Sequence, residues 1–198
     1  AGVVRELFAH RELGVALAHR EVVVRYKRST LGLLWALAEP LFTAFVMVIL
    51  FGVIMKANHD VPNYPLFVLF GILPWLFVSS TLEQCGMTLL EHAPLIRKVY
   101  FPRELVVIAV VLSRASSLVV GLVFGVVLGV IPGVADQPLD PSHLLLIPVG
   151  IVLATMLSLG AGLFLSAIQV LLQDSVFLAR FALRLTFYGT PIVYATRA

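Results

Sequence analysis

Five long apolar stretches limit what this chain can fold into. Each holds about the 20 apolar residues that a helix, rising about 1.5 Å per residue, needs to cross a hydrocarbon layer. They run Leu33–Met55, broken only by Glu39 and Pro40; Tyr64–Leu82, free of charge; Leu105–Ile131, with Arg114; Leu144–Leu172, again uncharged; and Ser175–Ala195, with Arg180 and Arg184. In lipid a backbone must satisfy its own hydrogen bonds, so these stretches predict an all-α integral membrane protein with five transmembrane helices. Composition agrees: 60% of the 198 residues are hydrophobic and 13% charged, against about 25% charged in soluble domains. Disorder is excluded by the same apolar excess. The expected organisation is a single domain, with residues 1–32 before the first span and spans over 33–55, 64–82, 105–131, 144–172 and 175–195.

Basic residues set the orientation. Arg5, Arg11, Arg20, Arg25, Lys27 and Arg28 precede the first span, and Arg97, Lys98 and Arg103 lie between the second and third. The opposite side has only Lys56 and Arg197. By the positive-inside rule the N-terminus is expected in the cytoplasm. Trp35 and Tyr100 then fall near the inner boundary, and Tyr64 and Tyr194 near the outer one. The basic residues cluster at span ends instead of forming one face, so no nucleic-acid partner is expected. Membrane lipids are the expected surroundings. One cysteine, Cys85, excludes an intramolecular disulfide.

Small residues recur every fourth position in the third span, at Ser113, Ser117, Gly121, Gly125, Gly129 and Gly133, and again at Ser158, Gly162 and Ser166 in the fourth. Such stripes let two helices approach closely in lipid. Packing within the chain is the favoured reading, and a seam between two copies is the other.

No catalytic constellation is present. His10, His19, His59, His92 and His143 form no His-Glu-x-x-His motif, and no Gly-x-Ser-x-Gly elbow occurs. The three lysines follow Tyr26, Met55 and Arg97, so none can complete a Gly-Lys-Ser/Thr phosphate loop. The chain therefore reads as a non-enzyme with no metal site and no cofactor of its own. Any nucleotide energy must be bound by another chain.

Two segments outside the spans stand out. Residues 3–24 mix apolar and charged positions, as an interfacial helix or a plain lipid-headgroup anchor would. In Glu91–Glu104, Pro94 suits a first helical turn and Pro102 ends one; Leu95, Ile96, Val99 and Tyr100 share a face opposite Arg97 and Lys98. That is a short amphipathic helix able to fit a partner's groove, or a basic interfacial turn.

The run Arg25-Tyr26-Lys27-Arg28-Ser29-Thr30-Leu31-Gly32-Leu33-Leu34-Trp35, followed by Pro40-Leu41, resembles the signature of the membrane subunit of ABC-type polysaccharide exporters. Gly71 with Pro74-Trp75, then Leu95-Ile96-Arg97-Lys98-Val99-Tyr100-Phe101-Pro102-Arg103-Glu104, and then Pro191-Ile192-Val193-Tyr194 are similar to its later blocks. That family includes O-antigen, capsule and teichoic-acid export permeases of the bacterial cytoplasmic membrane. The resemblance implies a homodimeric permease working with two copies of a separate ABC ATPase, which would hold ATP and Mg, and carrying a lipid-linked glycan. Pro94–Tyr100 would be the coupling helix, and a sixth span would lie beyond Ala198. Gln173, His92 and Val107 depart from residues common in the family, at positions that bear on the inner gate.

Under that reading, sugar rings would pass a wall of aromatic faces and hydroxyls, for which Phe42, Phe45, Tyr188, Ser79, Ser80 and Thr81 are candidates. An arginine at mid-membrane costs about 2.5–3.5 kcal/mol on insertion scales, so Arg180 and Arg184 need a reason. Either they meet the phosphates of a lipid-linked sugar chain, or they form structural ion pairs with Glu39 or Glu83. Competing readings are a drug or lipid exporter permease of the same superfamily, an ion-coupled secondary carrier, and a membrane enzyme.

Overall fold

The computed structural model describes residues 11–26, 32–54, 63–93, 102–131, 145–190 and 192, and every element among them is helical. The chain is an all-α membrane protein. Helix α1 is Arg11–Tyr26. A 3-10 turn over Gly32–Leu34 leads into α2, Trp35–Met47, which runs on as a π-helical segment, Val48–Ile54. Helices α3, Tyr64–Glu91, α4, Glu104–Val130, α5, Leu146–Leu171, and α6, Ser175–Gly189, follow.

Among the described residues four stretches are long and apolar enough to cross a membrane: Leu37–Ile54, Tyr64–Glu91, Glu104–Val130 and Leu146–Leu171. The fifth expected span is present as α6, whose 15 residues rise about 22 Å, short of a full crossing. Of the remainder of that expected span, residues 191 and 193–195 lie outside the described residues.

Helix α3 sits at the centre, packed by α2, α4, α5 and α6. Its residues Val68, Leu69, Ile72, Leu73 and Phe77 are buried together with Val107, Val110, Val111, Leu118 and Leu122 of α4. The small-residue stripes explain how the helices come so close. A Cβ added at Gly121 would lie 2.5 Å from Leu73 Cδ2, and one at Gly162 3.0 Å from Cys85 Sγ. Both stripes are thus used within the chain, against α3.

Helix α3 is longer than its apolar run. Tyr64–Leu82 accounts for about 28 Å, the thickness of the hydrocarbon layer, and a polar layer follows at once. Glu83 meets Arg180 of α6, and Gln84 Oε1 accepts from Arg114 Nη2 of α4 at 3.4 Å. The hydropathy pattern ends there, but the helix continues to Glu91. The matching part of α4, Glu104–Ser113, is apolar for another reason. Leu105, Val106, Val107, Ala109, Val110 and Val111 are buried in protein, and α1 covers the start of α4. A Cβ at Gly14 would touch Leu105 at 3.2 Å, and Leu17 is buried. Helix α1 is therefore packed into the bundle, and not merely laid on a surface. Glu21 Oε1 ties it to the foot of α3 through His92 Nε2 at 3.2 Å, while His92 Nδ1 lies 3.0 Å from the Thr88 carbonyl oxygen.

Candidate functional site

A groove of about 510 Å³ runs between α2, α3 and α6. Two four-residue ladders build it. On α3, Trp75, Ser79 and Glu83 fall on one face; on α6, Arg180, Arg184 and Tyr188 do the same. The helices run antiparallel, so the rungs pair in reverse order. Trp75 stacks obliquely on Phe187 with ring centroids 5.6 Å apart, and Phe187 meets Tyr188 edge-on at 5.4 Å. At the other end Arg180 Nε donates to Glu83 Oε2 at 3.1 Å. Thr43 of α2 closes the third side.

The chemistry grades along the groove. Its aromatic end offers flat faces of the kind on which sugar rings stack. In its middle, Ser79 Oγ donates to the Trp75 carbonyl at 2.9 Å and Thr43 Oγ1 to the Glu39 carbonyl at 2.8 Å. With their protons committed to the backbone, both hydroxyls turn only lone pairs outward, as acceptors. The charged end holds Glu83, Arg180 and Arg184, two positive groups against one negative. Arg180 also lies over the Phe177 ring at 5.8 Å, a cation–π distance. No described carboxylate pairs with Arg184.

A buried amide holds α6 in place. Gln169 of α5 accepts from the Ser175 hydroxyl and from Val176 N–H at 3.0 Å, and its Nε2 donates to the Gln173 carbonyl at 2.7 Å. No side chain of the turn itself caps α6, so Gln169 performs that service from the neighbouring helix. The orientation of Arg180 and Arg184 depends on it.

The residues singled out in the sequence divide. Arg180, Arg184, Tyr188 and Ser79 come together in the groove, with Glu83 as the partner of Arg180. Phe42 and Phe45 do not. They are 69% and 60% exposed on α2, outside the groove, and Thr43 between them is the residue that lines it. Ser80 and the fully buried Thr81 also lie outside the lining. Of the motif residues, Gly32 has φ +51°, a left-handed conformation that glycine adopts freely. Trp35 opens α2 half-exposed, and Pro40 is buried within that helix. Pro102 and Arg103 start α4 by accepting from Leu105 N–H and Val106 N–H, with Glu104 in its first turn. Arg25 and Tyr26 end α1. Lys27, the expected coupling residues Pro94, Leu95, Ile96, Arg97, Lys98, Val99 and Tyr100, and Phe101 lie outside the described residues. Sequence reasoning did not place Trp75, Phe187 or Thr43 at the site. For Trp75 the signal was the repeat of aromatic, hydroxyl and carboxylate at i, i+4 and i+8 along α3.

Residues 12–198 match the model of a family described as ABC-2 type transporter. The chain is 32% identical over 192 residues to the O-antigen export system permease protein RfbA of Myxococcus xanthus, an alignment covering 97% of this chain and 72% of that one. It is 28% identical over 185 residues to a protein of the same description from Klebsiella pneumoniae, covering 93% and 70%. A shorter match, 35% over 65 residues, is to the polysialic acid transport protein KpsM of Escherichia coli, covering 33% and 25%.

Proposed function

Because this chain belongs to the ABC-2 type transporter family, we propose that it is the permease subunit of a bacterial polysaccharide exporter. It moves a lipid-linked glycan across the cytoplasmic membrane and draws its energy from a separate ABC ATPase. The groove on α3 and α6 is the observation that carries the substrate class. Stacked aromatic faces, outward acceptors and unbalanced positive charge in one channel wall suit hydrated sugars tailed by phosphate, and suit an apolar drug poorly. Relatives that serve O-antigen export and polysialic acid transport support the same substrate class.

The N-terminus is cytoplasmic on this reading, which puts the polar layer at the inner boundary of the membrane. Two copies face each other around a twofold axis, each contributing one groove, because a single bundle is too narrow for a sugar polymer. Two ATPase subunits bind ATP and Mg and press on Pro94–Tyr100 when they close. Helix α3 is continuous from Trp75 to Glu91, so a push near its foot moves the groove wall as one body. The Glu21–His92 contact carries α1 along with it.

The test is ATP-dependent translocation in inside-out vesicles that contain the permease and its ATPase. A lipid-linked oligosaccharide added outside becomes protected from glycosidase when ATP is supplied. Trp75→Ala lowers that rate by roughly fivefold, the effect of removing one stacking face worth about 1 kcal/mol. Protection that needs no ATPase, or that ignores Trp75, contradicts the proposal.

A further inference from the structure

We propose that Glu83 is a resident anion, holding Arg180 until a phosphate or diphosphate of the arriving lipid-linked glycan takes its place, with Arg184 as the second cation of that site. The inference rests on the export reading and names which groups receive the substrate's charge.

Four observations lead to it. First, the pair is single-pointed: the contact runs from one guanidinium nitrogen, Nε, to one carboxylate oxygen. A phosphate offers the bidentate match that a guanidinium fork prefers, so it competes well against such a pair. Second, the side chains of Arg180 and Glu83 remain 44% and 40% exposed, and pairs that open to their surroundings are weak. Third, Arg184 lies one turn further along the same face of α6, with no described carboxylate on it. Two cations one turn apart match a group carrying more than one negative oxygen. Fourth, the aromatic rungs begin beyond Arg184, at Phe187, Tyr188 and Trp75. A phosphate on the arginines therefore leaves the attached sugar at the stacking end.

The carboxylate also explains how the arginines are carried in an empty groove. Without Glu83 the site would hold two uncompensated positive charges at the edge of an apolar layer, which is costly. With it, one charge is neutralised in the absence of ligand and released only to a stronger anion. A purely structural pair makes the opposite prediction for loss of the carboxylate.

The experiment measures equilibrium binding of a radiolabelled polyprenyl diphosphate to the permease–ATPase complex in lipid nanodiscs. The corresponding polyprenol, which lacks the phosphates, serves as the uncharged control. Arg184→Gln weakens binding at least about tenfold, the usual scale for a hydrogen bond to a charged group. Glu83→Gln tightens it about two- to fivefold, because the competing anion is gone. Polyprenol binding is the same in all variants. Folding of each variant is verified by continued protection of the buried Cys85 thiol from a maleimide. A Glu83→Gln protein that keeps Cys85 protected yet binds the diphosphate no tighter, or more weakly, overturns the exchange. Wild-type binding that inorganic pyrophosphate displaces as well as the polyprenyl diphosphate assigns the site to free phosphate and overturns the lipid-linked ligand. Translocation by the wild-type complex in vesicles is scored separately. If glycan still crosses with ATP while Glu83→Gln shows no gain, the exchange alone has failed.

Discussion

Replacing Gln169 by leucine removes three hydrogen bonds at once from the junction of α5 and α6. The Val176 N–H, the Ser175 hydroxyl and the Gln173 carbonyl all lose their partner, and Ser175 and Val176 are buried. A buried polar group left unmade costs about 1–3 kcal/mol in water-soluble proteins, while side-chain hydrogen bonds within membranes average about 0.6 kcal/mol. Three such losses come to roughly 2–3 kcal/mol near the lower bound. For a chain of this size that lowers the melting temperature by about 4–12 °C. The chain carries its own reporter: Cys85 is the one cysteine and is buried, so a thiol-activated dye brightens as the bundle opens. Gln173→Ala is the control, because Gln173 contributes its backbone carbonyl and not its side chain; its melting curve should match the wild type within about 1 °C. Equal curves for Gln169→Leu and Gln173→Ala would refute the claim that this amide fastens α6.

Three further outcomes follow from packing and coupling. Gly121→Val drives a side chain into Leu73 and should lower stability by about 1–3 kcal/mol, measured by the same dye. Gly160→Ala meets open space and should leave the melting temperature unchanged or raise it by up to about 3 °C. Leu95→Asp places a charge on the apolar face of the proposed coupling segment; the variant should insert normally but lose its ATPase on co-purification, and normal recovery of the ATPase would contradict the docking role.

Much of the bundle was legible because crossing helices need length and apolarity, and both are visible in a sequence. The second span starts at Tyr64 as expected, since Pro65 suits a helix start. Its end was not legible. Glu83 and Gln84 stop the hydropathy pattern, yet Arg180 and Arg114 satisfy them and the helix runs on to Glu91. The apolar start of α4 read simply as part of a span, because burial under α1 and burial in lipid select the same residues. At the site, Arg180 and Arg184 were readable from their four-residue spacing and their cost in lipid, and Tyr188 only as one aromatic face among several. Phe42 and Phe45 were not separable from Thr43, because a helix apolar all round gives no sign of which way it is turned.

The most direct measurement of the account places a photoreactive benzoylphenylalanine in turn at positions 188 and 45 of the permease, with its ATPase present, during active export. Irradiation at position 188 should join the glycan to the permease, with the yield falling when ATP is withheld and export stalls, while position 45 should capture lipid alone. Glycan captured at position 45 and never at position 188 would place the polymer's route elsewhere and contradict the groove as its path.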